Sequence, residues 1–436
     1  MIRAYRRLAL VLLPLVLAGV SVGAPRPRAG DTGGTAQGEP RRTTDAVTPG
    51  RVTGLASWSG VPGLAPSPTS STTAPGAVVS PSPSKDGGDR PRRTFTLLAA
   101  GDVLLHNAFW AQGASAARGA GHAGYDFAPL FASVRPDVSA ADLAICHLET
   151  PVGLPDGPWS SYPVFNVPPQ VVKAVVSAGF DRCDTASNHS LDQGEQGIDR
   201  TLAALDAAGL GHTGSARTPA EATRVTPFPV RGVRVSHLAY TYGLNGMPVP
   251  PGRSWLVNRI DVPRILADAH RARQAGAEVV VVSLHWGTEY RHDPDPSQIA
   301  QAKALLASPD VDLLLGCHAH VVQPMESLHG KWVVYGMGNE VAWQNRATDT
   351  HDGLMVSFTF RETSPGHFRA VTVRAIPTFM RLDGGPAQLL DIPRLLRADV
   401  HGALLEQLRA SWARTRATVL SRGGAAAGLV VVGPGR

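Results

Sequence analysis

Hydrophobic positions divide the chain sharply in two. After residue 94, short apolar runs bounded by Gly, Asp or Pro alternate with longer segments whose apolar residues recur at helical spacing. The runs 94–100, 143–148, 182–186, 233–240, 279–284, 311–315, 332–335, 354–360 and 368–376 read as strands. The segments 127–134, 169–178, 197–208, 262–275 and 297–306 read as helices. Pro168 and Pro169 suit a helix start, and Gly179 and Gly209 suit helix ends. Alternating strands and helices predict an α/β fold with largely parallel pairing. The later strands have no helices between them, which predicts a second or mixed sheet. Residues 391–416 read as a C-terminal amphipathic helix capped by Asp391, with the Gly/Ala-rich end from 423 fraying.

Before residue 94 the pattern is different. Arg3, Arg6 and Arg7 precede a nearly all-apolar run, 8–22, and small residues follow at 22–24. That is the layout of an export signal or an uncleaved anchor, with Pro25 disfavouring cleavage. Residues 25–93 are rich in Pro, Gly, Ser, Thr and Ala, too poor in apolar area to offset ordering entropy, and read as a disordered tether. The domains expected are therefore 1–24 signal or anchor, 25–93 linker, 94–380 main domain, 381–418 helical segment and 419–436 flexible tail.

Composition adds little beyond this. A net charge of +6 favours anionic partners, and no nucleic-acid-binding motif is present. Three cysteines, Cys146, Cys183 and Cys317, exclude a fully paired disulfide framework. Each sits in or beside an apolar run and reads first as a small core residue; one disulfide, or a thiolate near a metal, are the alternatives.

The chemistry gathers where apolar strands end. Asp102 follows the first strand, with His106 four residues on. His147 and Glu149 are two apart, so on a strand they face the same side and can reach one metal. Asn188 offers a neutral oxygen, His189 can donate a proton, and Asp192 can orient its imidazole; capping of the next helix is the plain alternative. His285 ends the run 279–284, and Glu289 could support the site from outside the ligand set. His318 and His320, at i and i+2, point the same way and can share a metal cluster. Singly each has a structural explanation; five strand ends carrying such groups together do not. Imidazole, carboxylate and amide oxygen suit Mn, Fe or Zn, and so many candidates exceed one tetrahedral ion, which predicts two divalent metals.

The segments AAGDVLLH (99–106), DLAICHLETPVG (142–153), SNHSLDQGEQGI (187–198), HTGSA (212–216), YTYGLNG (240–246), VSLHWGTEY (282–290), GCHAHVVQPME (316–326) and VVYGMGNE (333–340) resemble, in order and spacing, the CapA family linked to poly-γ-glutamate capsule synthesis. The resemblance implies a metallophosphoesterase-like four-layer sandwich, two central mixed sheets flanked by helices. It implies Asp102, Glu149, Asn188, His285, His318 and His320 as metal ligands, His189 as general acid and Asp192 as its partner. The sequence departs from the family at His147 and Ser187, where Asn is usual, and at Glu340, where Phe is usual. It also lacks the bridging Asp of phosphoesterases, for which Glu149 stands in. The implied role is synthesis or export of an anionic polymer at the cell surface, with membrane-embedded capsule proteins as partners. A stand-alone extracellular metal-dependent hydrolase of phosphoesters or amides, or a non-catalytic polymer-binding accessory, are the alternatives.

Overall fold

The strands' side-chain parity decides the layering. On the first strand Leu97 and Ala99 face one apolar cluster, while Leu98 and Ala100 face another. The run 279–282 splits the same way: Val279 and Val281 go one way, Val280 and Val282 the other. A strand buried on both faces reads as a continuous apolar run, which is why these segments lack polar alternation. Three stacked cores follow, and therefore four layers.

The structure, a computed structural model, describes residues 92–435. The expected export segment 1–24 lies outside the described residues, as does the expected linker 25–93 except Arg92 and Arg93. The elements are β1 (Thr94–Leu104), α1 (Trp110–Gly119), α2 (Arg135–Val138), β2 (Leu143–Leu148), α3 (Gln170–Ala178), β3 (Arg182–Asp184), α4 (Gly194–Ala207), β4 (Gly211–Thr213), α5 (Pro219–Thr223), β5 (Phe228–Val230), β6 (Val233–Thr241) and α6 (Val262–Gln274). They continue with β7 (Val279–His285), α7 (Pro296–Ala307), β8 (Leu313–Cys317), β9 (Met325–Leu328), β10 (Lys331–Val334), β11 (Asn339–Ala342), β12 (Asp352–Ser364), β13 (His367–Arg381), β14 (Gln388–Asp391), α8 (Ile392–Arg397), α9 (Gly402–Leu420) and β15 (Leu429–Val431).

One sheet runs β14-β13-β12-β1-β2-β3-β4, with β11 beside β1 and β15 beside β13. The other runs β5-β6-β7-β8-β10-β9. In the first, β1, β2, β3 and β4 are parallel and β12, β13 and β14 antiparallel; in the second, β6, β7, β8 and β10 are parallel. Both sheets are mixed, as expected. The inner faces of the two sheets meet through Leu97, Ile145, Val235, Val281, Leu315 and Val356. The α3 and α4 residues Val171, Val175, Ile198 and Leu202 cover the first sheet's outer face. The α6 and α7 residues Ile265, Ala269, Leu305 and Leu306 cover the second's.

Several expectations are corrected. The segment 127–134 forms a 3-10 turn, Ala128–Phe131, because prolines at 129 and 136 remove amide donors that a continuous helix needs. The helix expected over 391–416 begins as predicted, Asp391 Oδ1 accepting the Arg394 amide at 2.8 Å, but breaks after Arg397. The break lets Ile392 and Leu408 pack on one cluster with Phe379 and Leu390. The expected flexible tail 419–436 instead returns to the sheet, β15 pairing in parallel with β13. Cys146 and Cys183 are buried but not as free thiols: they face each other on neighbouring parallel strands and form a disulfide, leaving Cys317 as the free, buried cysteine.

Candidate metal centre

The parallel strands of both sheets bring their carboxyl ends to one edge, where α/β sheets leave a crevice. Asp102 sits on β1 at a shift in register, paired with His147 of β2 and Asn339 of β11. Glu149 follows β2, Asn188 and His189 follow β3, His285 closes β7, and His318 and His320 follow β8. All are buried.

Contacts between them are close. His320 Nδ1 lies 3.2 Å from Asp102 Oδ2, and the His318 amide donates to Asp102 Oδ1 at 3.3 Å. His320 Nε2 is 3.9 Å from Glu149 Oε1, and His285 Nε2 is 4.0 Å from the same oxygen. His285 Nε2 is 3.0 Å from Asn188 Oδ1. The His285 and His318 ring centroids are 4.6 Å apart. The six residues proposed as ligands from sequence thus meet in one place.

His318 and His320 reach it differently than expected. They do not continue β8 as same-facing strand positions. Both are in left-handed backbone, φ 97° and 55°, which costs a non-glycine residue of order 1–3 kcal/mol. The strained turn aims both imidazoles into the cluster. Nor do Asn188 and His189 cap a helix: α4 begins five residues later, with Gln193 at its cap position.

His147 faces the same side but is committed to neighbours. Its Nδ1 bonds Asp184 and its Nε2 is 2.9 Å from His285 Nδ1. Burial alone would lower its pKa, but the Asp184 carboxylate outweighs it and holds the value up at about 9. For His285 to ligate through Nε2, its Nδ1 must donate to His147 Nε2, with the remaining His147 hydrogen on Asp184. For Asp102, burial opposes ionisation, yet the hydrogen bond and charge of His320 hold its pKa below the ordinary range. Glu149 feels the charge of His320 but has no hydrogen bond, and burial pushes it up to about 7.

The expected His189–Asp192 pair is in contact. His189 Nδ1 is 2.8 Å from Asp192 Oδ2, and that oxygen also accepts the Phe165 amide at 2.7 Å. Ser187, standing where the family usually has Asn, donates to the Glu149 carbonyl and accepts the His189 amide at 3.0 Å, tying the two loops together. His189 and His320 line a cavity of about 430 Å³ with His106, Glu289, Tyr290, Trp343 and Arg346. The Arg346 guanidinium lies 4.5 Å from the centre of the Tyr290 ring.

The donor set fits divalent cations. Both Glu149 carboxylate oxygens and His318 Nδ1 are buried without a hydrogen-bond partner, although buried polar groups are nearly always satisfied. Potential ligand atoms of Asp102, Glu149 and His320 lie within 4.8 Å of one another, as do those of Glu289, His318 and His320, and those of Asp102, His147 and Cys317. Sequence reasoning missed Asp184 and Asn339. A lone Asp on a three-residue strand carries no signal. Asn339, whose Oδ1 is 3.0 Å from His320 Nδ1, stands inside a motif already matched to the family.

The fold and site define a four-layer α/β protein with a buried histidine–carboxylate cluster at the strand ends. Residues 96–344 match the family Bacterial capsule synthesis protein PGA_cap, and the chain belongs to that family. Among its relatives, the capsule biosynthesis protein CapA of Bacillus anthracis is 30% identical over 241 residues, 53% of this chain and 58% of that protein. The PGA biosynthesis protein CapA of Bacillus subtilis is 27% identical over 251 residues, 56% and 64% respectively. A probable polyglutamine synthesis accessory protein of Mycobacterium tuberculosis (strain H37Rv) is 28% identical over 263 residues, 55% and 66%. The chain thus spans less than two thirds of these relatives' length. A calcineurin-like phosphoesterase, YfkN of Bacillus subtilis, aligns at 13% identity with TM-score 0.41, over 75% of this chain and 97% of that one. So loose an alignment bears on neither substrate nor activity.

Proposed function

We propose that this chain acts at the cell surface in the synthesis or export of an anionic polymer of the poly-γ-glutamate type, as a hydrolase of amide or phosphoester bonds. Asp102, Glu149, Asn188, His285, His318 and His320 would hold two divalent ions, Mn, Fe or Zn by donor chemistry. The observation that carries this reading is Glu149: a carboxylate with neither oxygen partnered, buried between imidazoles. Divalent ions bound there supply positive charge that polarises a scissile carbonyl or phosphoryl group and acidifies water.

The chain's own residues do the rest. Asp192 accepts from His189 Nδ1 and stabilises the imidazolium, so His189 Nε2 can present a proton to a leaving group on the cavity side. Once that proton has left, Nε2 can accept from Asn245 Nδ2, 3.5 Å away. Arg346, exposed beside the cavity, offers a cation to an acidic chain. A disulfide between β2 and β3 belongs with an oxidising compartment, which supports export. No helix among the described residues is long and apolar enough to cross a membrane.

The test is cleavage of a chromogenic phosphodiester, and shortening of poly-γ-glutamate, by metal-loaded protein. His318→Ala should abolish metal binding and turnover together. His189→Gln should keep the metal and lose roughly 10²–10⁴-fold in kcat. Turnover unchanged in both variants refutes the reading.

A further inference from the structure

A second cavity, of about 310 Å³, lies away from the metal centre, where β4 of one sheet approaches β6 of the other. The residue that gives it character is Arg182 of β3. Its guanidinium stacks over the Phe228 ring at 4.1 Å. Among the described residues its one hydrogen bond runs from Nη2 to the His212 carbonyl at 3.3 Å, its Nε is buried without a partner, and no carboxylate lies within 4.0 Å. The arginine has no carboxylate in direct contact; burial draws its pKa down to about 10, and the charge of neighbouring Asp181 offsets this only in part.

The surroundings are shaped for that side chain. A Cβ at Gly211 would fall 2.3 Å from Arg182 Nη1, so only glycine leaves the guanidinium its place. Two more polar atoms in the cavity wall, Ser236 Oγ and His237 Nδ1, are buried and unpartnered. His237 Nε2 is engaged with Ser283 Oγ at 2.8 Å; with Nε2 accepting, Nδ1 carries the hydrogen as a spare donor.

Acidic residues in the wall do not fill the gap. Asp206 is bound by Arg217 Nη1 at 2.6 Å and His212 Nε2 at 2.9 Å, and Glu221 by Arg217. Asp268 accepts from Tyr240 Oη at 2.7 Å and pairs with Arg271. Every carboxylate in the wall already has its cation, and Arg182 is paired with none of them.

We propose that this cavity is a binding site for a small anion, a carboxylate or a phosphate, held by the Arg182 guanidinium with His237 as a further donor. Phosphate and carboxylate present the same planar or tetrahedral oxygen pairs to an arginine fork. The site does not depend on the metal centre or on hydrolysis.

Isothermal titration of the full chain with inorganic phosphate and with glutarate, alongside thermal denaturation, tests it. At least one anion should bind and raise the Tm; which one does so separates phosphate from carboxylate ligands. Binding should persist in His318→Ala, which excludes the metal centre as the source, and weaken roughly tenfold or more in Arg182→Met. Without ligand, Arg182→Met should melt no lower than wild type, because it removes an unpaired cation while keeping an apolar stem over Phe228. Equal binding by wild type and Arg182→Met, binding lost in His318→Ala, or no binding of either anion at tens of millimolar overturns the proposal.

Discussion

Removing the disulfide is the sharpest test of how the first sheet is held. Cys146 and Cys183 are 37 residues apart and directly opposed on β2 and β3. The cross-link restricts the unfolded chain by closing a loop of that length, which corresponds to about 4 kcal/mol at room temperature. The loop contains α3 and its flanking turns, so the effect falls on the segment that carries Glu149 at one end and leads into Asn188 at the other. The double variant Cys146→Ala/Cys183→Ala should therefore lose about 4 kcal/mol in denaturant unfolding, with a small further loss from the sulfur atoms removed from a packed core. For a domain of this size that is a fall in Tm of about 5 °C. Thiol titration supplies the control: the unfolded, unreduced protein should show one thiol, Cys317, and the reduced protein three. Three thiols without reductant would refute the bond. A double variant as stable as wild type would refute the argument from loop closure.

Three further outcomes follow from burial and charge. Metal-free Glu149→Gln should be more stable than metal-free wild type by about 1–3 kcal/mol, because it removes an unpartnered buried carboxylate, yet bind divalent metal more weakly; calorimetry with and without metal reads both signs. His237 is held neutral, its pKa drawn from 6.5 down to about 3 by burial, so the folded state resists a proton that the unfolded chain takes up. Its contribution is intact above pH 6.5 and is lost as pH falls toward 3, about 2 kcal/mol between pH 8 and pH 5; the wild-type stability profile minus that of His237→Asn should show that slope. Asp352→Ala should cost about 2 kcal/mol and expose the linker before α9 to proteolysis, since Asp352 accepts from Ser411 Oγ at 2.6 Å and from Arg414 Nε at 2.9 Å.

Long buried strands were legible because their chemistry is uniform: 143–148 and 279–284 became β2 and β7 within a residue. What escaped was set by distant partners. β4, β5, β9, β11 and β14 are three or four residues long, too short for any period, and exist because a neighbouring strand offers them hydrogen bonds. The tail shows the same effect. Residues 423–428 have the composition of a frayed end, but Leu429 pairs opposite Val373 and joins the core between the sheets. Local composition could not reveal that a sheet edge was waiting for it.

At the candidate metal centre, residue types were readable and backbone geometry was not. Asp, His, Asn and Glu after apolar runs announce themselves, because such groups rarely end up buried without a reason. Strand parity predicts that His318 and His320 share a side, yet their left-handed φ values show that a bent loop does the aiming. The support of that loop is equally nonlocal: Tyr290, itself at φ 63°, donates its amide to the Ala319 carbonyl at 2.7 Å between the two histidines. The same holds for His147. By spacing it is one more ligand beside Glu149, but Asp184 on the next strand takes its Nδ1, and its Nε2 faces His285 Nδ1. Whether a histidine binds a metal or positions one that does depends on which carboxylate its neighbouring strand places beside it, and that information resides in the register of β2 against β3, where His147 stands opposite Asp184.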